Sequence, residues 1–431
     1  MATVVVAASV TLLVGWQTTP PDAVAAAASQ TDRPLDAREP VVPTRGNVTV
    51  VTTDPPAGSG GTSAIVAFTA DGRALYHNDT YGNYFDVDPD PLGSRMVLYV
   101  AGTRYDDCPA ALAEQFDGSA GDDCAEVAVE RANLSTGETE RLHTAVTGWD
   151  IWHDVDRVGP DRLLVADIAE DRVFVLNTTT DAVAWEWRAQ SAFDRNESGG
   201  QTGDWTHVND VEAVADGRVM ASLRNHDRVV FLDREGGLQR NWTLGAEDAY
   251  GILYEQHNPD YVPADRGGPA VLVADSENNR VVEYQRVDGQ WVQSWTWRDD
   301  QLRWARDADR LPGGHTLVTD SQGDRVIEVD ERGAVVWQIP VPTPYEAERL
   351  GTGDESATGW SREALANDTV GAGSAADGAD QTTGLAWLVA FVTGPLLNGL
   401  LYVAPAWMTI GDLLVALALG GAVLAWGVAE L

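Results

Sequence analysis

The sequence predicts an all-β protein, a six-bladed β-propeller with transmembrane helices at its C-terminus. The first observation is a phrase that recurs about every 50 residues, a period typical of propeller blades. Its copies begin at Phe85, His153, Asn209, His257 and Arg306. The second observation is that copies end in a Trp-bearing strand, such as "AVAWEWR", "WVQSWTW" and "AVVWQI". The third is a pair of uncharged apolar segments near the C-terminus.

Five copies of the phrase are visible, and strands near the N-terminus supply a sixth blade. Residues 47–79 hold "NVTVVTTD" and "SAIVAFTADGRALYHND", which alternate around turn residues. These strands can complete a blade by pairing with the end of the repeat region. Six blades is therefore the expected count, with five or seven open. A β-solenoid is the alternative, but its repeats are usually shorter.

The charge is strongly acidic along the whole chain. The 431 residues include 66 Asp and Glu against 29 basic residues, a formal net charge of −37, and lysine is absent. An acidic, lysine-free surface is typical of an extreme halophile, and it excludes nucleic acid as an expected partner because phosphates need a basic face.

Both ends of the chain are apolar, and two spacers flank the repeat region. Residues 1–16 are expected to be a signal peptide or an N-terminal membrane anchor. The expected order continues with a linker over 17–45, the propeller over 46–350, a disordered acidic Gly/Ala linker over 351–383 and a transmembrane helical hairpin over 384–429. A single span with a re-entrant piece is the alternative to the hairpin.

Two features place the propeller on the extracellular side of a cell membrane. N-glycosylation sequons begin at Asn47, Asn78, Asn133, Asn177, Asn196, Asn241 and Asn367. Cys108 and Cys124 are the only cysteines and bracket an Asp/Gly-rich loop. A disulfide between them is expected in an oxidising compartment, and two independent buried thiols are the alternative.

The repeat predicts a functional site in the central channel. Equivalent residues of each blade take equivalent places around the axis, so Phe85, His153, Asn209, His257 and Arg306 should converge. His207 lies two residues before Asn209 and would project to the same side if it were on a strand. Arg224 replaces Ile168, Ser276 and Ser321 of the other blades with a cation that the repeat does not need.

At these residues the chain resembles a known family. "DWTHVND" at 204–210, "WHD" at 152–154 and "EQHNPDY" at 255–261 resemble the arylsulfotransferase family, six-bladed propeller enzymes that use phenolic sulfates instead of a nucleotide sulfate donor. The resemblance covers roughly residues 45–350 and, with the composition and ends, suggests a haloarchaeal, membrane-anchored member.

The resemblance implies a role for each site residue. His257 would be transiently sulfated, and the catalytic residues His153, His207 and Arg224, with the substrate-binding Asn209, would hold the sulfuryl group and assist proton transfer. Arg306, which the repeat and not the resemblance brings to the channel, is also expected to bind substrate. The implied reaction moves a sulfuryl group from a small-molecule aryl sulfate to a phenolic acceptor without a cofactor. Neutral imidazole is a competent nucleophile near neutral pH, and arginine offers permanent charge to sulfate oxygens.

Other interpretations of these residues stay open. Three histidines can bind zinc or copper, but arginine nearby would repel a cation, and no metal is expected there. The non-catalytic alternative is a surface propeller that binds glycans or an envelope protein. His226 is expected at the surface, and His77, His143 and His315 are given no role.

Two repeated residue types are expected to be structural. Asp154, Asp210 and Asp307 are expected to form turns by accepting nearby backbone amides. The arginine of "DRV" or "NRV" in each blade, at 172, 228, 280 and 325, is expected to be architectural because it recurs.

Overall fold

The computed structural model is a β-propeller whose six sheets surround one channel. It describes residues 22–55, 62–115, 123–148, 150–196, 199–200, 204–368 and 392–402. Six of six sheets are antiparallel, and each sheet is one blade, numbered I to VI in chain order. The predicted fold class and blade count are thereby confirmed.

Blade I combines strands from both ends of the repeat region. From the channel outwards it consists of β25 (Pro344–Arg349), β1 (Thr49–Thr53), β2 (Ala64–Phe68) and β3 (Ala74–Asn78). The strands around residues 47–79 do complete a sixth blade, and the end of the repeat supplies its innermost strand. This junction closes the ring.

The other blades follow the chain from the channel outwards. Blade II has β4 (Asn83–Pro89), β5 (Met96–Tyr105), β6 (Cys124–Asn133) and β7 (Thr139–Thr147). Blade III has β8 (Asp154–Gly159), β9 (Arg162–Asp167), β10 (Arg172–Asn177) and β11 (Ala182–Arg188). Blade IV has β12 (Val208–Ala213), β13 (Val219–Leu223), β14 (Arg228–Asp233), β15 (Gly237–Leu238) and β16 (Leu244–Gly245). Blade V has β17 (His257–Val262), β18 (Ala270–Asp275), β19 (Arg280–Val287) and β20 (Gln290–Trp297). Blade VI has β21 (Ala305–Arg310), β22 (Thr316–Asp320), β23 (Arg325–Val329) and β24 (Val335–Pro340).

Helical elements are short and peripheral. The α-helices are α1 (Ala23–Ala28), α2 (Ala110–Ala113), α3 (Arg362–Asp368) and α4 (Leu397–Tyr402), the last preceded by a π-turn over Val392–Leu396. The 3₁₀ turns are Leu35–Ala37, Ala189–Ser191, Arg224–His226, Arg240–Trp242 and Ala264–Arg266.

Six apolar clusters hold the blades together, one at each junction. Middle strands such as β2, β5 and β18 are buried along most of their length because both faces of a blade pack against neighbours. At the junction of blades V and VI, for example, Leu272 and Val281 pack with Val318 and Ile327. The core is thus a ring of interfaces around the channel.

Carboxylates on the inner strands also join neighbouring blades. The Asp154 carboxylate accepts a hydrogen bond from the Val211 amide at 2.5 Å, and that of Asp307 accepts one from Ala347 at 3.1 Å. The expectation that Asp154, Asp210 and Asp307 form turns is wrong, because all three are buried within inner strands. The repeat places them where one blade meets the next.

The repeated arginines pair with an aspartate that ends the preceding strand. Arg172 contacts Asp167 at 2.8 Å, and the same pair recurs as Arg280–Asp275 and Arg325–Asp320. Blade IV departs from the pattern, since Leu223 stands in the aspartate's place and Arg228 lies over the Phe193 ring instead. These pairs tie two adjacent strands of one blade, an architectural role.

Segments expected as spacers pack against the propeller where they are described. Val24 and Ala27 of α1 are buried in the cluster between blades VI and I, and Arg38 donates to the backbone of β3. After β25, Ser356 hydrogen-bonds Asp260 in the channel. These residues of the two segments therefore contact the propeller.

The expected membrane segments are mostly outside the described residues. Residues 1–16 lie outside them, as does the hairpin over 384–429 apart from 392–402, where the Asn398 amide donates to Glu277 at 3.1 Å. Among the helices of the described ranges, none combines the length and apolar character that crossing a membrane requires.

Candidate functional site

The inner strands deliver the first residue of each repeat copy to the channel. Asn209 and Arg306 stand at β-bulges, where the register shifts between Val208 and Asp210 and between Ala305 and Asp307. A bulge re-aims a side chain without ending the strand, so these two side chains can leave the alternation of their strands.

Blade I adds a sixth member that the sequence interpretation missed, Tyr345. Its ring lies edge-on to Phe85 at 5.0 Å and is 5.9 Å from the His153 ring, between centroids. "YEAE" at 345–348 repeats the spacing of "HDVD" at 153–156, and this signal could have identified the residue.

Ring contacts connect the histidines of blades III and IV. His153 stacks on Phe85 with centroids 4.0 Å apart, and its ring lies 5.4 Å from that of His207. His153 is 5% exposed, so it faces the channel from a largely buried position. The structure thus brings together two of the predicted histidines.

The contacts continue around the channel to the third histidine. The Arg306 guanidinium lies 4.6 Å from the Tyr345 ring and 4.8 Å from the Trp304 ring, and Trp304 lies 5.2 Å from His257. These contacts link Phe85, His153, His207, Arg306 and His257 of the predicted constellation, with Tyr345 and Trp304, which were not predicted, between them.

His207 reaches the site by a route that differs from the expected one. It precedes β12 with a left-handed backbone, φ 47°, so strand alternation does not orient it. Its Nδ1 lies 2.7 Å from Oδ1 of Asp204, three residues earlier. Asp204 was not predicted as a site residue, and only its nearness to His207 in the sequence could have suggested it.

Hydrogen bonds fix the tautomer of all three histidines. His153 Nδ1 lies 2.8 Å from the Ile151 carbonyl oxygen, which can only accept, so Nδ1 carries the proton. His257 Nδ1 lies 2.8 Å from Ser276 Oγ, and that hydroxyl donates to the Ala305 carbonyl at 2.7 Å. The serine therefore accepts from His257 Nδ1–H, which leaves the lone pair on Nε2.

Burial keeps the three imidazoles neutral. It lowers the pKa of His153 to about 3 and the pKa of His257 well below its usual value, with Arg224 and Arg306 lowering the latter further. Burial and Arg224 also lower the pKa of His207, although Asp204 opposes them. Near neutral pH each Nε2 is consequently a free base in the absence of an anion.

Asp204 is ionised beneath His207. Burial alone would raise its pKa, but hydrogen bonding and attraction to His207, together with Arg224, lower that pKa to about 2. A carboxylate held against Nδ1–H orients the imidazole and stabilises its protonated form.

The polar side chains around the histidines offer donors to an anion. Arg224 starts the 3₁₀ turn after β13, and its Nη2 contacts Glu255 at 2.6 Å, while its Nε has no hydrogen-bond partner among the described residues. Nε and Nη1 of Arg306 are also without one, the nearest carboxylate being Asp54 at 4.0 Å. Buried guanidinium N–H groups of this kind suit a tetrahedral oxyanion.

Asn209 is buried beside His257. Its Nδ2 donates to the Gln256 carbonyl at 3.2 Å, and its Oδ1 has no partner within the described residues. The amide oxygen can therefore accept a hydrogen bond from a substrate hydroxyl.

The other histidines are outside this constellation. The expectation that His226 is at the surface is wrong: it is fully buried between Phe193 and Trp205, at 5.3 and 5.0 Å. The turn that carries it is covered by Phe193 and Trp205, which belong to the connection between β11 and β12 and have no equivalent in the repeated phrase. His315 contacts Glu328 at 2.7 Å, and His143 stacks on Trp152 at 5.7 Å.

The remaining predicted positions lie on the periphery. Cys108 and Cys124 form a disulfide at one end of blade II. Among the sequon asparagines, Asn47, Asn196 and Asn241 are exposed, whereas Asn78, Asn133 and Asn177 are half-buried.

Several solved structures match the chain at low sequence identity. The periplasmic gluconolactonase PpgL of Pseudomonas aeruginosa is 16% identical with a TM-score of 0.43, covering 71% of this chain and 99% of that chain. A nidogen/laminin complex chain is 12% identical with a TM-score of 0.45 and the same coverages, 71% and 99%. A protein from Lactobacillus plantarum is 10% identical with a TM-score of 0.43, covering 70% and 98%. Likeness at this level carries no inference about activity.

One sequence comparison bears on the site itself. No curated protein matches the chain significantly in sequence. The family model described as Arylsulfotransferase (ASST) matches residues 161–265, the part of the chain that contains His207, Asn209, Arg224 and His257.

Proposed function

We propose that the protein is a sulfotransferase that moves a sulfuryl group from an aryl sulfate to a phenolic acceptor through a sulfohistidine at His257. The observation that carries the proposal is the anchoring of His257 Nδ1 by Ser276, which leaves the Nε2 lone pair free beside Arg224 and Arg306. The match of residues 161–265 to the arylsulfotransferase family model supports the same reaction class.

In the first half-reaction His257 Nε2 attacks the sulfur of the donor. The N–S bond forms as the bond from sulfur to the aryl oxygen breaks, and the two arginines bind the equatorial oxygens as charge redistributes. No cofactor takes part in this scheme. The imidazole can attack because it is neutral at rest.

His207 supplies the proton for the leaving phenolate. The negative charge of the bound aryl sulfate raises the pKa of the neighbouring His207 imidazole, which then takes up a proton. The Asp204 carboxylate stabilises the resulting imidazolium by accepting a hydrogen bond from its Nδ1–H. Nε2 of His207 then donates to the aryl oxygen as it departs. The acceptor phenol returns this proton to His207, its oxygen attacks sulfur, and the S–N bond breaks.

His153 and Asn209 position the aromatic groups. His153 is held by the Ile151 carbonyl and stacked on Phe85. Its Nε2 is therefore fixed in place to accept a hydrogen bond from the hydroxyl of the phenolic substrate. Asn209 offers its unpartnered Oδ1. These contacts would orient the phenol for attack along the line of the S–N bond.

The test uses the full chain in high salt with 4-nitrophenyl sulfate, with and without phenol. Acceptor-dependent release of nitrophenol is expected from the wild type and from His77→Asn, a histidine on the outer strand of blade I. His257→Asn should abolish it. Without acceptor, a sulfuryl group should appear on the peptide that contains His257. Folded wild-type protein that releases no nitrophenol with any phenol would support the binding propeller instead.

We also propose that the propeller faces the outside of the cell and is held there by the segment over 384–429. The sequons and the Cys108–Cys124 disulfide support an oxidising, glycosylating compartment. Two measurements test this location: the change in electrophoretic mobility after glycosidase treatment, and the digestion of the propeller by protease added to intact cells. A propeller that carries no glycan and resists the added protease would contradict the proposal.

A further inference from the structure

A second polar site lies in the channel, and it is made of carboxyl groups. Inner strands carry acidic residues one and three places after the first residue of the phrase, as in "FDVD", "HDVD", "NDVE" and "YEAE". Nine of these side chains are at most 7% exposed: Asp86, Asp88, Asp154, Asp210, Asp260, Asp307, Asp309, Glu346 and Glu348. Carboxylates at this density are rare in a protein interior unless they are paired or bind metal.

Three of them form a compact group at the junction of blades I and II. Ligand atoms of Asp86, Asp88 and Glu346 all lie within 4.8 Å of one another. One oxygen of Asp86 accepts from Val155 N and one of Glu346 accepts from Val87 N, each at 3.1 Å. The Asp88 carboxylate accepts no hydrogen bond from the described part of the chain. Free oxygen lone pairs therefore remain between the three groups.

A buried amide from blade V points into this group. Asn258 is 7% exposed, and its Nδ2 donates to Oε2 of Glu346 at 3.1 Å. Its Oδ1 has no hydrogen-bond partner in the part of the chain that the structure describes. A buried amide oxygen without a donor costs about 1–3 kcal/mol. This oxygen belongs to an amide group in contact with Glu346, so an electron-pair acceptor is missing beside the three carboxylates. Asn258 also has a left-handed backbone, φ 27°, which holds it in the bulge of β17.

Arginine does not supply that acceptor. The charges that act most strongly on Asp86, Asp88 and Glu346 are all acidic, among them Asp154, Asp156 and Asp354. A cation would relieve both the burial and the mutual repulsion.

We propose that Asp86, Asp88, Glu346 and Asn258 bind one calcium ion in the channel. All four offer oxygen, the donor that hard cations prefer, and calcium accepts the irregular six- to eight-fold geometry that carboxylates and an amide on different strands provide. The ion joins blades I and II, which share an apolar cluster, to blade V, whose apolar clusters are with blades IV and VI. It differs from a metal at the histidines, where Arg224 and Arg306 are close.

The experiment measures calcium binding to the full chain after dialysis against a chelator, in high potassium chloride. Metal content after re-equilibration gives the stoichiometry, and calorimetric titration with calcium chloride gives the affinity. Asp88→Asn is the main variant because it removes one charge without removing a hydrogen bond. Asp288→Asn is the matched control, since Asp288 is exposed in the turn between β19 and β20.

Wild type and Asp288→Asn should bind the same number of calcium ions and melt at a higher temperature with calcium. Asp88→Asn should bind one ion fewer, or bind it at least tenfold more weakly. In the chelated state it should melt above wild type, because repulsion is lower. Asn258→Ala should also weaken binding. Absence of calcium binding by wild type, stabilisation by potassium alone, or unchanged affinity in Asp88→Asn would each overturn the proposal.

Discussion

Ser276 Oγ lies 2.8 Å from His257 Nδ1 and donates its own proton to the Ala305 carbonyl at 2.7 Å. This serine is the counterpart of Arg224 in the neighbouring blade. One repeat position thus supplies the cation of blade IV and the partner of the proposed nucleophile in blade V.

Ser276→Ala should slow sulfation of His257 with little change in donor KM. Without the serine the buried Nδ1–H lacks an acceptor, and a lost buried hydrogen bond costs about 1–3 kcal/mol, roughly 5- to 150-fold in rate. Stopped-flow measurement of the nitrophenol burst reports this step. Ser276→Thr keeps the hydroxyl and should restore part of the rate. An unchanged burst in Ser276→Ala would contradict the anchoring role.

His207→Asn should discriminate between leaving groups. Asparagine tolerates the left-handed backbone at this position but cannot donate a proton as imidazolium does. General acid catalysis contributes roughly 10²–10⁴-fold, and more when the leaving group is a poor one. The turnover of phenyl sulfate should fall much further than that of 4-nitrophenyl sulfate, and Asp204→Asn should show the same trend more weakly. Equal losses for both donors would exclude His207 as the acid.

Arg306→Gln should lower kcat/KM for the donor by roughly 10- to 100-fold, because a hydrogen bond to a charged group contributes about 1.5–3 kcal/mol. The guanidinium presents unpartnered N–H groups that glutamine cannot replace in number or charge. Arg332→Gln, at an exposed turn, is the control and should leave kinetics unchanged. Steady-state kinetics at fixed salt decide the matter, and a wild-type kcat/KM in Arg306→Gln would remove this residue from the site.

His226 should make the propeller sensitive to mild acid. Burial, reinforced by Arg228, lowers its pKa from 6.5 to about 4, so the unfolded chain binds a proton that the native state does not as pH falls through this window. Its contribution to the free energy of unfolding is therefore full above pH 6.5 and declines by at most about 1.4 kcal/mol per pH unit between pH 6.5 and about 4. Denaturant unfolding at pH 7.5 and pH 5 should show a smaller loss for His226→Phe than for wild type. Equal losses would mean that His226 is protonated in the native state.

The blade repeat could be predicted because it depends on local patterns. Turn residues, alternation and the Trp-bearing strands recur in each copy, and equivalent places around the axis follow from symmetry. The convergence of His153, Asn209, His257 and Arg306 on the channel rests on that symmetry, which the sheet order reproduces. The role of the last strand as part of blade I also follows from ring closure.

Features that break the repeat could not be predicted in the same way. His207 depends on a left-handed residue before a strand, and Asp204 on a contact within an irregular loop. His226 was misplaced because a turn position is usually exposed, whereas here Trp205 and Phe193 cover it. Asp154 and Asp307 were assigned to turns because sequence proximity does not reveal an amide on the neighbouring blade.

The ring is closed by β25, which is also the last strand of the propeller to be synthesised. When residues up to 340 have emerged from the ribosome, five complete blades and three strands of blade I are outside it, but Tyr345 and Glu346 are not. Until the final strand emerges, the edge of β1 has unsatisfied backbone groups and the channel has an open side. A chain truncated before β25 therefore lacks Tyr345 beside the histidines and Glu346 of the carboxylate group, so both channel sites are complete only when this strand is in place.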